Sequence, residues 1–142
     1  SIPYPDEFPV VLVNQAGTTT DGTTTRYHIT CDVRGTTLTY ECSADRSSWV
    51  QSFRRLTIEG STGRVIAGTL LTPEGSYTVM AHSSTTVTLQ RDSVTRFGNA
   101  SVVYRKADDT YAYIGCEGLT DGWTVSAFIM PDGSIGCVVY MP

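Results

Sequence analysis

Only two histidines, His28 and His82, occur in 142 residues, so acid–base or metal chemistry has few places to sit. His82 precedes Ser83 and Ser84. A hydroxyl beside an imidazole is the start of a nucleophile–base pair, but the ring needs a third group to orient it. No acid or nucleophile-elbow pattern accompanies these serines, so a turn-flanking histidine is expected. His28 falls on the outward side of an alternating stretch, with Glu41 as its expected cross-strand neighbour, the arrangement of a surface contact. Paired carboxylates drive glycoside hydrolysis, and Asp6-Glu7 and Asp108-Asp109 adjoin in sequence. Adjacent acids on loops face solvent, however. Glu117 and Asp121 flank a loop near Cys116 and are placed to line a cleft mouth. Calcium ligation by Asp121 or the Asp132-Gly133 turn lacks the EF-hand spacing. No catalytic, metal-ligating or cofactor-binding set is assigned.

Arg54 and Arg55 are consecutive, so on a strand one of them faces inward. Glu59 or Glu41 is the expected structural partner. The functional alternative is an acidic or sugar ligand held by the planar guanidinium fork. Tyr104, Tyr111 and Tyr113 cluster around one hairpin, and packing is expected there ahead of sugar stacking.

Four cysteines, Cys31, Cys42, Cys116 and Cys137, have 10, 73 and 20 residues between them and form no C-x-x-C pair. A zinc site or thioredoxin-type motif is therefore not expected, and two disulfides in an oxidising compartment are. Three pairings stay open. The chain starts at Ser1 without methionine, as a processed chain does, and Asn99-Ala100-Ser101 is an acceptor triplet for N-glycosylation. These features point to a secreted, extracellular protein.

The elements that must carry these residues are strands. Tyr27, Ile29, Cys31 and Val33 alternate with polar residues, and after Arg34-Gly35 the alternation resumes through Leu38, Tyr40 and Cys42. A two-residue loop pairs Ile29 with Tyr40, Cys31 with Leu38 and His28 with Glu41. That register leaves the two cysteines apart. Near the C-terminus, Met130-Pro131-Asp132-Gly133-Ser134 reads as a three-residue hairpin loop with Gly133 left-handed. It pairs Ile129 with Ile135, Ala127 with Cys137 and Val125 with Val139. The other side of this ribbon carries Phe128, Met130, Val138 and Tyr140, which either lie between layers or form an interaction surface. Further strands are expected near 8–14, 53–59, 63–72, 76–82, 85–91, 101–106 and 110–116. Matching Tyr77 and Val79 to Leu89 calls for a three- or five-residue loop around Ser84. Asp45–Phe53 is the one place for a short helix.

About eleven short strands with regular turn signals mean a single all-β domain over 1–142, a barrel or a two-sheet sandwich. An extended segment is expected at 1–7 and a polar loop at 14–25. Threonine (22 residues) and serine (13) coat the wet faces, while lysine occurs once. A net charge of −4 and a pI near 5.0 lack the basic stripe of a nucleic-acid binder. No apolar run approaches the ~18 residues of a membrane span.

The stretch Gly35-Thr36-Thr37-Leu38-Thr39-Tyr40-Glu41-Cys42-Ser43-Ala44-Asp45, followed by Trp49, resembles the Alternaria major-allergen-like family of secreted fungal β-barrels. The resemblance implies a non-enzymatic effector or elicitor acting at a host surface, and it carries no functional residues over. Three functions follow as expectations. The first is an effector-like protein that engages a host protein or cell-surface component. The second is a β-barrel binding a glycan or a small apolar ligand. The third is a small hydrolase or cyclase using His82 or Glu117.

Overall fold

Threonine, valine and tyrosine favour extended backbone because their branched or aromatic side chains pack well on a pleated surface. A computed structural model of the chain describes residues 8–98 and 102–142 and is all-β apart from two short 3₁₀ turns. Asn99 and the 1–7 segment, with Asp6 and Glu7, lie outside the described residues. The backbone divides into two compact units, Ser1–Leu70 and Leu71–Pro142. Each unit has its own hydrophobic core.

The first unit contains β1 (Val10–Asp21), β2 (Thr24–Val33), β3 (Thr36–Cys42), β4 (Phe53–Ile58) and β5 (Val65–Leu70). They close into a barrel in the order β1-β2-β3-β5-β4, with β3 and β5 parallel at Cys42–Val65. The β2–β3 register is the expected one: Ile29 faces Tyr40, Cys31 faces Leu38 and His28 faces Glu41. Arg34 and Gly35 at the turn both have positive φ, 50° and 89°, as a two-residue primed turn requires. The barrel core includes Val11, Val13, Ile29, Cys31, Tyr40, Leu56, Val65 and Trp49.

The polar loop expected at 14–25 is a paired ribbon instead. β1 and β2 stay in register out to Asp21–Thr24, with Gly22 (φ 61°) at the tip. Strand pairing and β-branched threonines sustain this ribbon although Thr18–Thr25 has no buried residue.

The second unit contains β6 (Thr72–His82), β7 (Val87–Arg91), β8 (Val94–Gly98), β9 (Val103–Ala107), β10 (Thr110–Tyr113), β11 (Thr124–Ile129) and β12 (Ile135–Tyr140). They form one sheet in the order β10-β9-β12-β11-β6-β7-β8. In the C-terminal hairpin the loop is as expected, with Gly133 at φ 89° donating its N–H to Met130 O at 2.8 Å. Ile129 pairs with Ile135, but one extra residue, Gly136, then shifts the ladder. Phe128 meets Cys137, Ala127 meets Val138 and Val125 meets Tyr140. A glycine inside a strand marks such a bulge, and here its backbone is pressed against Leu71, where an added Cβ would lie 2.3 Å from Cδ2.

The bulge alters the candidate interaction surface. Val138 and Met130 are buried, and Phe128 and Tyr140 are half-buried, so the four residues form no exposed patch. A second bulge at Met80 lets Val79 face Leu89 while the β6–β7 loop keeps four residues, 83–86, rather than an odd number. The strand β8 was not anticipated.

The two disulfides expected from the cysteine count do not form among the described residues. Cys31 and Cys42 face Leu38 and Tyr27, four positions apart along the ladder. Cys116 opens a 3₁₀ turn, while Cys137 lies on β12. All four thiols are buried. Burial pushes the Cys31 thiol up to about 12 and the Cys42 thiol to about 11, and it raises those of Cys116 and Cys137 too.

Candidate functional site

The link between β3 and β4 in the barrel unit is a short polar turn. Asp45 Oδ1 accepts the Ser47 N–H at 2.9 Å, and Trp49 N–H donates to Arg46 O at 2.9 Å, forming the 3₁₀ turn Ser47–Trp49. Gln51, at φ 67°, reverses the chain and donates its N–H to Val13 O at 2.7 Å. This ties the turn to β1 and swings the Trp49 indole into the barrel core, where it is 6% exposed. The ring lies against Gly68 of β5. A Cβ there would sit 2.6 Å from Trp49 Cη2 and 2.8 Å from Cζ3, so only glycine leaves this space.

Two guanidiniums lie over that indole. Arg46 Cζ is 4.6 Å and Arg54 Cζ 4.8 Å from the ring centroid, within cation–π range. Arg54 is the member of the Arg54-Arg55 pair on the side of Val11, its cross-strand partner and a core residue. It donates from Nε to Ser52 Oγ at 3.0 Å and from Nη1 to Gly68 O at 3.1 Å. Arg46 donates from Nη2 to Ile66 O at 3.2 Å, and its buried Nε has no hydrogen-bond partner.

Neither arginine has an ion-pair partner among the described residues. The acids expected to serve are committed elsewhere: Glu41 to Arg26 at 3.0 Å, and Glu59 to the Thr62 hydroxyl at 2.6 Å. Burial and the nearby Arg46 charge both lower the Arg54 pKa, the direction expected of two like charges with no acid between them. The result is an aromatic seat flanked by two cations, with Arg46 Nη1 and Arg54 Nη2 making no hydrogen bond among the described residues. Such a set can hold a carboxylate, phosphate or sulfate oxygen. Arg55, on the other side of β4, lies over the Phe8 ring at 5.1 Å.

No protein-family model, curated protein or solved structure matches this chain.

The other candidates resolve into packing and surface pairs. His28 sits opposite Glu41 as expected, but the carboxylate goes to Arg26 and the imidazole lies over Gly17. In the second unit His82 Nδ1 is 2.7 Å from Asp121 Oδ1, so the orienting acid missing from the sequence is present in space. The adjacent Ser83 hydroxyl is spent within its own turn. It accepts from the Thr85 and Thr86 N–H groups at 3.3 and 3.0 Å and lies 2.6 Å from Thr86 Oγ1. Glu117 is exposed on the 3₁₀ turn Cys116–Gly118. Asp132 accepts from Ser134 at 2.9 Å and caps the hairpin loop. No group of three possible metal ligands occurs among the described residues. Tyr104 is fully buried and packs edge-on against Tyr111 and Tyr113, which makes the tyrosine cluster structural.

One dense polar network was not foreseen. Glu74 on β6 takes the buried Tyr77 hydroxyl and pairs with Arg96 at 3.0 Å and Arg91 at 3.4 Å. Arg96 also donates to Tyr77 Oη at 2.9 Å and to Gly133 O at 2.9 Å, and Arg91 to Gly75 O at 2.8 Å. Here the cations meet an acid and backbone carbonyls, so the network staples β6, β7 and β8 to the hairpin loop. It is the structural counterpart of the uncompensated pair in the barrel.

Proposed function

We propose that this protein acts by binding rather than by catalysis, and that its barrel unit engages an anionic group through Arg46 and Arg54 over Trp49. The observation that carries this reading is the pair of half-buried arginines on one tryptophan without a carboxylate at ion-pair distance among the described residues. Holding two half-buried like charges over one ring is unfavourable, and an arriving anion relieves it. An effector-like role outside the cell, towards a host protein or cell-surface component, belongs to the same proposal. It is supported by the hydroxyl-coated, lysine-poor composition and by the likeness of residues 35–45 to secreted fungal β-barrels. No helix of the described residues is long and apolar enough to cross a membrane.

The test is retention of the folded full chain on immobilised poly-glutamate against a neutral polymer, with the double variant Arg46→Gln/Arg54→Gln as control. Salt-sensitive retention that the double variant loses is expected. Equal retention of both proteins would refute the site.

A small-ligand reading has one observation of its own. In the second unit a groove of about 180 Å³ is lined by Ser76, Thr124, Val125, Ser126, Val139 and Met141. Its hydroxyl rim and apolar floor suit a small uncharged ligand, and broadening of the Met141 methyl resonance on titration with such a ligand would reveal occupancy.

A further inference from the structure

We infer that the occupant of the Arg46–Trp49–Arg54 site is a peptide segment carrying a carboxylate beside aliphatic side chains, an acidic patch on a protein partner; this rests on the anion-binding reading above.

The charges alone accept any anion, so the surroundings decide the class. Leu70 is the direct cross-strand partner of Arg54 on β5 and is 50% exposed. Ile66, whose carbonyl anchors Arg46, is 41% exposed, and Val50, next to Trp49, is 38% exposed. Leu70 thus shares a face of the ladder with Arg54, and the exposed Ile66 and Val50 adjoin the seat through the Arg46 hydrogen bond and the peptide link to Trp49. Inorganic phosphate or a sulfated sugar chain gains nothing from such a rim, because their surfaces are polar. An aspartate or glutamate flanked by leucine, isoleucine or valine uses both parts: its carboxylate meets the guanidinium forks, and its neighbours cover the exposed aliphatics. The hydrogen bonds to Ser52, Ile66 and Gly68 hold the forks in place before binding, which limits the ordering cost.

The experiment is calorimetric titration of the full chain with four probes. They are a hexapeptide alternating leucine or isoleucine with aspartate, its analogue with serine in place of each aliphatic, a sulfated disaccharide and inorganic phosphate. The aliphatic–acidic peptide is expected to bind about tenfold or more tighter than the serine analogue, as burial of two exposed aliphatic contacts would give. Leu70→Ser and Ile66→Ser, both at exposed positions, are expected to bring the affinities for the aliphatic–acidic peptide and the serine analogue together. Equal affinity for the two peptides, or tighter binding of the sulfated disaccharide, overturns the peptide assignment while the anion site stands. Binding of no probe, or binding indifferent to Arg46→Gln/Arg54→Gln, overturns the anion site itself.

Discussion

Gly68 and Trp49 are matched: the indole edge lies where a side chain at 68 would begin, with Cη2 2.6 Å from the position of an added Cβ. The ring is buried and fixed by the turn before β4, so it has nowhere to retreat. Gly68→Ala is expected to cost about 1–3 kcal/mol through overpacking and to displace the ring from beneath Arg46 and Arg54. Urea unfolding together with poly-glutamate retention reads both effects. An unchanged midpoint would mean that the ring does not rest on this glycine.

The Tyr77 hydroxyl joins Glu74 to Arg96 from a side chain that is otherwise fully buried. Removing it in Tyr77→Phe breaks two hydrogen bonds to charged groups, for an expected loss of about 1–3 kcal/mol in chemical denaturation. A loss of a few tenths would show that the network is solvent-loosened.

The same network has a pH signature. Hydrogen bonding from Tyr77 and then Arg96, with the Arg96 and Arg91 charges, holds the Glu74 carboxyl below its ordinary value. A depressed folded value contributes stability above the unfolded carboxylate pKa, and that contribution disappears as pH falls through the depressed one. Melting curves of wild type and Glu74→Gln should therefore be separated at pH 7 and converge on acidification below pH ~4. Parallel curves down to pH 2 would contradict the assignment.

His82 and Asp121 form a partly exposed pair, with side chains 24% and 58% exposed. Asp121→Asn is expected to change stability by less than about 1 kcal/mol. Ser83→Ala should leave any ester-cleaving activity of the preparation untouched, since that hydroxyl is committed to the 83–86 turn. Loss of activity in either variant would revive the hydrolase reading.

Burial and the raised thiol pKa values of Cys31 and Cys42 imply chemically quiet cysteines. Iodoacetamide at pH 8 should label the folded chain slowly and all four positions promptly in denaturant, as intact mass would report. Rapid labelling of Cys31 in the native protein would contradict this packing.

How far the fold was legible depended on where regularity broke. The β2–β3 register followed from alternation and the Arg34-Gly35 turn, because a period of two leaves one register that buries Ile29, Cys31 and Tyr40 together. In the C-terminal hairpin the loop chemistry was readable at Pro131-Asp132-Gly133, but Gly136 inserted a bulge that alternation alone does not show. The ribbon at Thr18–Thr25 escaped because strand pairing there needs no apolar face. At the site, the opposed directions of Arg54 and Arg55 were evident from strand geometry. That Arg46 joins Arg54 over Trp49 was not, since it depends on the turn at 45–51. The choice of Arg26 by Glu41 is likewise a matter of neighbouring strands in space.

The binding role proposed for Arg46 and Arg54 is tested most directly by thermal unfolding with and without the aliphatic–acidic hexapeptide, in wild type and in Arg46→Gln/Arg54→Gln. A ligand that binds only the folded state raises the melting temperature with concentration. Wild type should show this rise, whereas the double variant should melt cooperatively at a temperature the peptide does not alter. An equal rise in both proteins, or none in either, would contradict the claim that these two arginines on Trp49 form a binding site.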